Sequence, residues 1–368
     1  MHKKMRGIRV NLERSRSDSY DIVIGDGVLD RLLPMIQAQD GVDRCVIITD
    51  SNVNPLYGAM VKERLKQIAV PLDMIEIPGG EASKEMSTVL DVARQLIELN
   101  ASRQSLLIAL GGGVVGDLAG FVASIYKRSV PYVQIATTLV AQVDSSVGGK
   151  TGIDLPEGKN LLGTFYQPRA VLIDLSFLKT LSDKDFKNGL AEIIKYGIIS
   201  DEEMFALLEQ ERDAVLERQL SVMKTLVERS CGIKAHIVEM DEQEGGLRRI
   251  LNFGHTVGHA LEAASDYRLT HGEAVAIGMV AAAEISYRLD YLDERSCERI
   301  VDVIKQYGLP TEIPGDFNTK EILGFMATDK KAVGAQLYFV LIKKIGVPFV
   351  TAGVPPSMLI DVIEELRQ

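Results

Sequence analysis

Residues 105–117 read S-L-L-I-A-L-G-G-G-V-V-G-D, a β-rich apolar run that ends in a glycine cluster. The glycines satisfy G-x-G-x-x-G after a strand and before a helix. In that setting bare backbone N–H groups and a helix N-terminus approach a pyrophosphate closely. A tight strand-to-helix turn is the plainer alternative. The motif lies far from the N-terminus, and the first strand-turn-helix unit carries no such fingerprint. An ordinary Rossmann arrangement is therefore not expected.

Around this turn the first half of the chain alternates between strand-like and helix-like runs. Strands are expected at Gly7–Leu12, Tyr20–Ile24, Arg44–Thr49, Leu72–Ile77, Ser105–Leu110, Tyr132–Ile135 and Ala170–Leu175. Helical patterns fall at Leu56–Ile68 and Lys84–Leu99, the latter closed by Asn100 as a C-cap residue. Such alternation predicts a parallel, doubly wound sheet. After about Leu178 helical periods dominate: Asp183–Tyr196, Glu202–Leu208, Ala214–Val238, Thr256–Ala264, Glu273–Leu289, Glu294–Tyr307 and Thr319–Met326. Two short β-like pieces, Leu337–Ile342 and Pro348–Val350, come late. The expected fold is an α/β, Rossmann-like nucleotide-binding domain over residues 1–178. A mainly α-helical metal- and substrate-binding domain follows over residues 179–368.

Size and composition agree with two domains. At 368 residues the chain exceeds one ordinary core, and its 46% hydrophobic and 25% charged content is that of a globular protein. A net charge of −10 argues against nucleic acid or an anionic membrane as partner. The longest mostly apolar run, near Glu273 to Ile285, is too short to span a bilayer. The basic start M-H-K-K-M-R-G is followed by no apolar segment, so a secretory signal is not expected. Cys45, Cys231 and Cys297 are odd in number and widely spaced, which fits a reducing cytoplasm and neither a disulfide framework nor a zinc motif.

Two further loops follow predicted strands. Asp50-Ser51-Asn52 offers an acidic side chain to ribose hydroxyls, and Gly79-Gly80-Glu81-Ala82-Ser83-Lys84 follows M-I-E-I-P. Each alone reads as turn chemistry, but three such loops at one sheet edge favour a dinucleotide.

The histidines are concentrated. His255, His259 and His271 stand within N-F-G-H-T-V-G-H-A-L-E and L-T-H-G-E-A, whereas His2 and His236 need no special reading. His255 and His259 share a helical face, and Thr256 stands where a zinc protease would carry its catalytic glutamate. His271 is reachable if a turn near Asp266–Thr270 folds the next helix back, and Glu192 of G-L-A-E-I-I-K-Y-G can add a carboxylate. Three protein ligands with one open position suit a catalytic zinc. The alternative is that the imidazoles cap helices within the core.

Lysine is the other concentration. D-S-S-V-G-G-K-T-G (144–152) ends like a P-loop, but Ser145 stands where the first glycine belongs, so a nucleotide triphosphatase reading fails. Lys150 and Lys159 sit among glycines, and Lys195 lies three residues after Glu192 on one helical face. Lys127-Arg128, Lys234, Arg248-Arg249 and Lys330-Lys331 add cationic sites. Local positive charge in an acidic chain suits a small substrate carrying a carboxylate and a phosphate.

With these blocks in order, together with G-K-N-L-L-G-T-F-Y-Q-P and H-G-E-A-V-A-I-G-M, the chain resembles the 3-dehydroquinate synthases from roughly Asp50 to Ile345. These belong to the wider sugar-phosphate cyclases, whose members making other carbocycles usually alter the D-S-S-V-G-G-K block. The resemblance implies conversion of 3-deoxy-D-arabino-heptulosonate 7-phosphate to 3-dehydroquinate and phosphate, in aromatic amino-acid (shikimate) biosynthesis. It implies NAD⁺, a divalent metal (Zn²⁺ or Co²⁺) and a homodimer. It places the metal on Glu192, His255 and His271. The dinucleotide falls to Asp50, Asn52, Glu81, Lys84, Gly112, Gly113, Val114, Val115, Asp117, Thr137, Thr138, Phe177, Thr180 and Leu181, with Asp144, Lys150 and Lys159 alongside. Substrate and catalysis fall to Asp144, Lys150, Lys159, Asn160, Lys195, Lys234, Glu244, Arg248, Asn252, His259 and a lysine of the pair Lys330 and Lys331. Arg128 is implied to reach the phosphate site of a second copy. The chain departs from the family pattern at Ala136, Asp154-Leu155, Asp185 and Tyr338, none of them an implied metal ligand. Another sugar-phosphate cyclase or a metal-dependent polyol dehydrogenase is the alternative.

Overall fold

The computed structural model describes residues 18–266, 268–332 and 337–367, with side chains of 328–332 excluded. The expected strand Gly7–Leu12 and the side chains of Lys330 and Lys331 lie outside this described part.

Six parallel strands form the first half: β1 (Asp21–Gly25), β2 (Cys45–Asp50), β3 (Leu72–Ile77), β4 (Leu106–Gly111), β5 (Tyr132–Ala136) and β8 (Ala170–Asp174). Their order is β1-β8-β5-β4-β2-β3. Every residue of β2, β4, β5 and β8 is buried, as expected for strands covered on both faces. The coverings are α1 (Leu32–Gln37), α2 (Ala59–Arg64), α3 (Met86–Glu98) and α4 (Gly113–Ile125). Because β2 has β3 on one side and β4 on the other, the chain reverses direction across the sheet there. The carboxyl ends of β2 and β4 open the crevice where doubly wound sheets hold ligands. Asp50 ends β2, and Glu81, Gly112 and Thr137 follow the ends of β3, β4 and β5 at this edge.

The second half is α5 (Asp183–Ser200), α6 (Glu202–Gln210), α7 (Arg212–Leu216), α8 (Leu220–Met240), α9 (His255–Ala264), α10 (His271–Arg288), α11 (Glu294–Gln306), α12 (Thr319–Ala332) and α13 (Pro356–Glu365). A two-stranded ribbon, β9 (Phe339–Lys344) with β10 (Val347–Thr351), packs against α10. One hydrophobic cluster runs from Val171 and Ile173 of the sheet to Ile193, Val275 and Ile285 of the helices. The two halves therefore share a core.

Three expectations need correction. The run Ala214–Val238 is two helices, because Arg218 adopts a φ of 56° and donates to the carbonyls of Leu178 (3.0 Å) and Leu181 (2.8 Å). That tertiary anchor overrides the helical period. Leu56–Ile68 shortens to a π-turn over Asn54–Gly58 followed by α2. The expected strands leave out the lysine- and glycine-rich stretch, yet Lys150–Leu155 (β6) and Gly158–Phe165 (β7) form an antiparallel hairpin. Gly152 faces Gly163 across it, and a Cβ on Gly163 would sit 2.2 Å from the Thr151 carbonyl. Only glycine allows this approach.

α9 and α10 cross still more closely. A Cβ on Gly278 would lie 1.9 Å from the carbonyl of Gly254, the left-handed residue (φ 79°) that opens α9. Gly278→Ala should therefore lower unfolding free energy by about 1–3 kcal/mol in urea melts, as overpacking does. Wild-type stability would show that the crossing tolerates a methyl group.

Candidate functional site

Glu192 lies on the third turn of α5 with its side chain fully buried. Two imidazoles converge on one of its oxygens: His271 Nε2 at 3.0 Å and His255 Nε2 at 3.6 Å from Oε1. Candidate ligand atoms of Glu192, His255 and His271 all lie within 4.8 Å of one another. His255 opens α9, and its Nδ1 lies 3.1 Å from the Phe253 carbonyl. A carbonyl only accepts, so Nδ1 carries the proton and Nε2 presents a lone pair. His271 opens α10 because Thr270 and Glu273 close a capping box over that first turn. Asn188, one turn before Glu192, also accepts from the Gly272 N–H at 2.5 Å. A cap and a cross-helix bond thus set His271 against Glu192.

Charge in this centre is strongly perturbed. Burial opposes ionisation of Glu192, but Lys195, His271 and His255 outweigh it and hold the carboxyl well below its usual range. Burial, with Lys195 behind it, lowers His255 to about 3. For His271 burial is outweighed by hydrogen bonds to Glu192 and Glu262, which raise it to about 10. Glu192 Oε2 faces the Lys195 ammonium as an ion pair yet has no hydrogen-bond partner. Two imidazoles and a carboxylate with mutually close ligand atoms fit a divalent cation.

A second buried group adjoins it. Lys234 donates to the Asp144 carbonyl (2.8 Å) and to Oδ1 (2.7 Å), and Tyr196 donates to the same Oδ1 at 2.5 Å. Burial lowers Lys234, with Asp144 opposing; burial would raise Asp144, but Lys234 prevails and lowers it. Lys150 pairs with Glu244, which also accepts from Asn252 Nδ2 at 3.2 Å. Burial opposes the Glu244 charge, and Lys150 outweighs it to lower the pKa. Arg248, buried, donates to the carbonyls of Glu242 (2.6 Å) and Gly148 (3.2 Å), bracing the loop before Lys150.

The sheet-edge residues surround the crevice. A Cβ on Gly112 would meet Thr138 Cγ2 at 2.8 Å, and one on Gly113 would lie tight against Ser145 Oγ at 3.2 Å. Backbone N–H groups at the start of α4 are left accessible to an anion, as a dinucleotide requires. Val114 and Val115 continue that first turn, and Asp117 follows it. Thr137 hydrogen-bonds the Gly111 carbonyl at 3.0 Å, and Thr138 Oγ1 accepts from Ala141 at 3.2 Å. Asp50 Oδ1 closes its own loop by accepting from Asn52 (2.8 Å) and Val53 (2.9 Å). Lys84 donates to Asp117 (2.6 Å) and Asn160 (2.5 Å), tying the hairpin to this edge. Burial alone would discharge Lys84; Asp117 and Glu81 outweigh it and raise its pKa. Tyr57 meets the Thr180 hydroxyl and packs on Phe177 with ring centroids 4.4 Å apart, next to Leu181.

The exposed His259 stands beside the triad, its ring centroid 5.2 Å from His255. Lys159 bridges Glu262 (3.1 Å) and Glu81 (3.8 Å). Arg128 is not brought to this cluster. It follows the far end of α4, roughly 20 Å of helix from Gly113. No spacing rule singles out Tyr196, Glu262 or Asn188, although all three lie in or beside the quoted motifs. Their roles arise from contacts between helices distant in sequence.

Known proteins share this chain throughout. Family models described as 3-dehydroquinate synthase N-terminal and 3-dehydroquinate synthase C-terminal match residues 74–188 and 189–332. A 3-dehydroquinate synthase of Acidithiobacillus ferrooxidans is 46% identical over 366 residues, 99% of each chain. Among solved structures, 2-epi-5-epi-valiolone synthase from Streptomyces hygroscopicus, with NAD⁺ and Zn²⁺ bound, superposes with a TM-score of 0.89 at 30% identity, covering 98% of this chain and 99% of that one. A 2-deoxy-scyllo-inosose synthase complexed with carbaglucose-6-phosphate, NAD⁺ and Co²⁺ gives 0.84 at 27%, covering 94% and 96%. No helix among the described residues is long and apolar enough to cross a membrane.

The His271 imidazole, at about 10, is protonated in metal-free protein at neutral pH, whereas His255, at about 3, is not. A divalent ion must displace the His271 proton. Zn²⁺ affinity in a chelator competition assay should therefore rise about tenfold per pH unit between pH 6 and 9, with about one proton released per ion. A flat profile would contradict the assignment.

Proposed function

The chain belongs to the 3-dehydroquinate synthase family, and from that premise we propose that it converts 3-deoxy-D-arabino-heptulosonate 7-phosphate to 3-dehydroquinate and phosphate. The net reaction is a carbon–oxygen bond cleavage with ring closure, so the enzyme class is a phosphate-eliminating lyase. Transient oxidation, elimination, re-reduction and aldol cyclisation consume no cofactor. The reading rests above all on one observation, the convergence of Glu192, His255 and His271 beside the ligand-binding edge of the sheet.

When bound, a divalent ion on those three residues supplies Lewis-acid polarisation of a substrate hydroxyl, and NAD⁺ at the Gly112–Val115 turn supplies a hydride acceptor. The chain's own residues do the remaining work. Lys195, Lys234 and Arg248 present fixed cations to the substrate's hydroxyls and carboxylate. Lys150, Lys159 and Asn160 hold the phosphate, and the exposed His259 steers the proton that accompanies its departure. Asp144 keeps Lys234 charged against burial, and Tyr196 fixes Asp144. Glu244 orients Lys150 and Asn252 until substrate arrives. A homodimer in which Arg128 serves the second copy's phosphate site accounts for its distance from its own chain's cluster. The assignment of residues 1–178 to the nucleotide and 179–368 to the metal follows the same division of labour. A soluble cytoplasmic setting fits the three free cysteines.

With metal, NAD⁺ and the heptulosonate phosphate, phosphate release should match substrate consumed while NADH does not accumulate. Sustained NADH production would identify a polyol dehydrogenase instead. His271→Ala should lower kcat at least about a thousandfold, the loss expected when several kcal/mol of charge stabilisation disappears. Full activity of that variant after chelation would overturn the site.

A further inference from the structure

A metal-binding imidazole is aimed by whatever holds its other ring nitrogen. His255 has the neutral Phe253 carbonyl behind Nδ1. His271 has a carboxylate: Glu262 Oε2 lies 3.2 Å from its Nδ1. Glu262 projects from α9, is only 4% exposed, and has its other oxygen engaged by Lys159 Nζ at 3.1 Å. No role has been given above to this side chain itself, although its partner Lys159 is assigned to the substrate phosphate.

We propose that Glu262 is a positioning residue that holds His271 with Nδ1 protonated and Nε2 directed at Glu192. The inference rests on the metal-site reading of Glu192, His255 and His271.

The physical case has three parts. An ionised carboxylate only accepts hydrogen bonds, so His271 Nδ1 must be the donor, and the tautomer that frees Nε2 for an ion is selected. Both Glu262 oxygens face donors, Oε2 the His271 Nδ1 at 3.2 Å and Oε1 the Lys159 ammonium at 3.1 Å, the setting of an accepting carboxylate. Glu262 cannot swing away, because Lys159, anchored in β7 and facing Glu81, restrains its second oxygen. A partly exposed imidazole at the first position of a helix otherwise has few restraints on its ring. A buried carboxylate on the neighbouring helix supplies one, and its negative charge raises the basicity of the ligating nitrogen.

The test is Co²⁺ titration of metal-free protein, read by the visible d–d bands, for wild type, Glu262→Ala, Glu262→Gln and His271→Ala. Glu262→Ala should weaken Co²⁺ binding about 10- to 100-fold and alter the band shape, the usual consequence of removing such a partner. Glu262→Gln keeps an oxygen acceptor opposite Nδ1 without the charge and should lose at least about threefold, but less than alanine. Wild-type affinity and spectrum in both Glu262 variants would overturn the proposal, even with a lowered melting temperature. If the alanine variant does not fold, the glutamine variant decides by the same criterion. His271→Ala separates the two levels of failure. Should it bind Co²⁺ like wild type, the metal-site reading itself falls; should it lose Co²⁺ while both Glu262 variants keep it, only the role of Glu262 falls.

Discussion

A carboxylate with no solvent exposure is the constraint around which this molecule is arranged. Burying an ionised Glu192 costs several kcal/mol unless opposite charge and hydrogen bonds replace water. Replacement comes from three groups on three helices: Lys195 on its own α5, His255 on α9 and His271 on α10, with Tyr196 and Lys234 closing the next layer through Asp144. Each must arrive from a fixed direction. The glycine crossing of α9 and α10, the Thr270 capping box and the Asn188 bond to Gly272 are the local devices that fix those directions. A divalent ion held by His255, His271 and Glu192 adds further positive charge beside the buried carboxylate.

The same logic organises the wider crevice. The chain is acidic overall, yet Lys84, Lys150, Lys159, Lys195 and Lys234 each face a carboxylate from Asp117, Glu244, Glu262, Glu192 or Asp144. Such pairing offsets the cost of placing cations in a partly desolvated place. Under the proposed function, an anionic sugar phosphate would meet ammonium groups already positioned by these carboxylates. The hairpin β6–β7 carries three of the contacts, through Lys150, Lys159 and Asn160, and joins the nucleotide edge to the metal-binding helices.

Much of this was legible in the residues. Fully apolar runs such as Leu106–Leu110 declare buried parallel strands, and their glycine endings place the ligand edge. Four-residue spacing puts His255 and His259 on one helix face, and the family motifs single out Glu192 and His271. What stayed hidden depended on contacts between distant segments. The β6–β7 hairpin was not among the expected strands because its glycines and lysines carry no strand signature, although Gly152 needs Gly163 opposite. The break at Arg218 is set by carbonyls of residues 178 and 181, which no periodicity reveals. T-H-G-E at 270–273 was a readable cap that would have started α10 two residues earlier than its apolar period suggests.

If two imidazoles and one carboxylate from the helical half grip one ion, X-ray absorption at the zinc edge of stoichiometrically loaded protein must report them. The account requires two imidazole nitrogens and oxygen donors at about 2.0–2.2 Å, with no sulfur at about 2.3 Å. A sulfur shell, or a spectrum with fewer than two imidazoles, would contradict it.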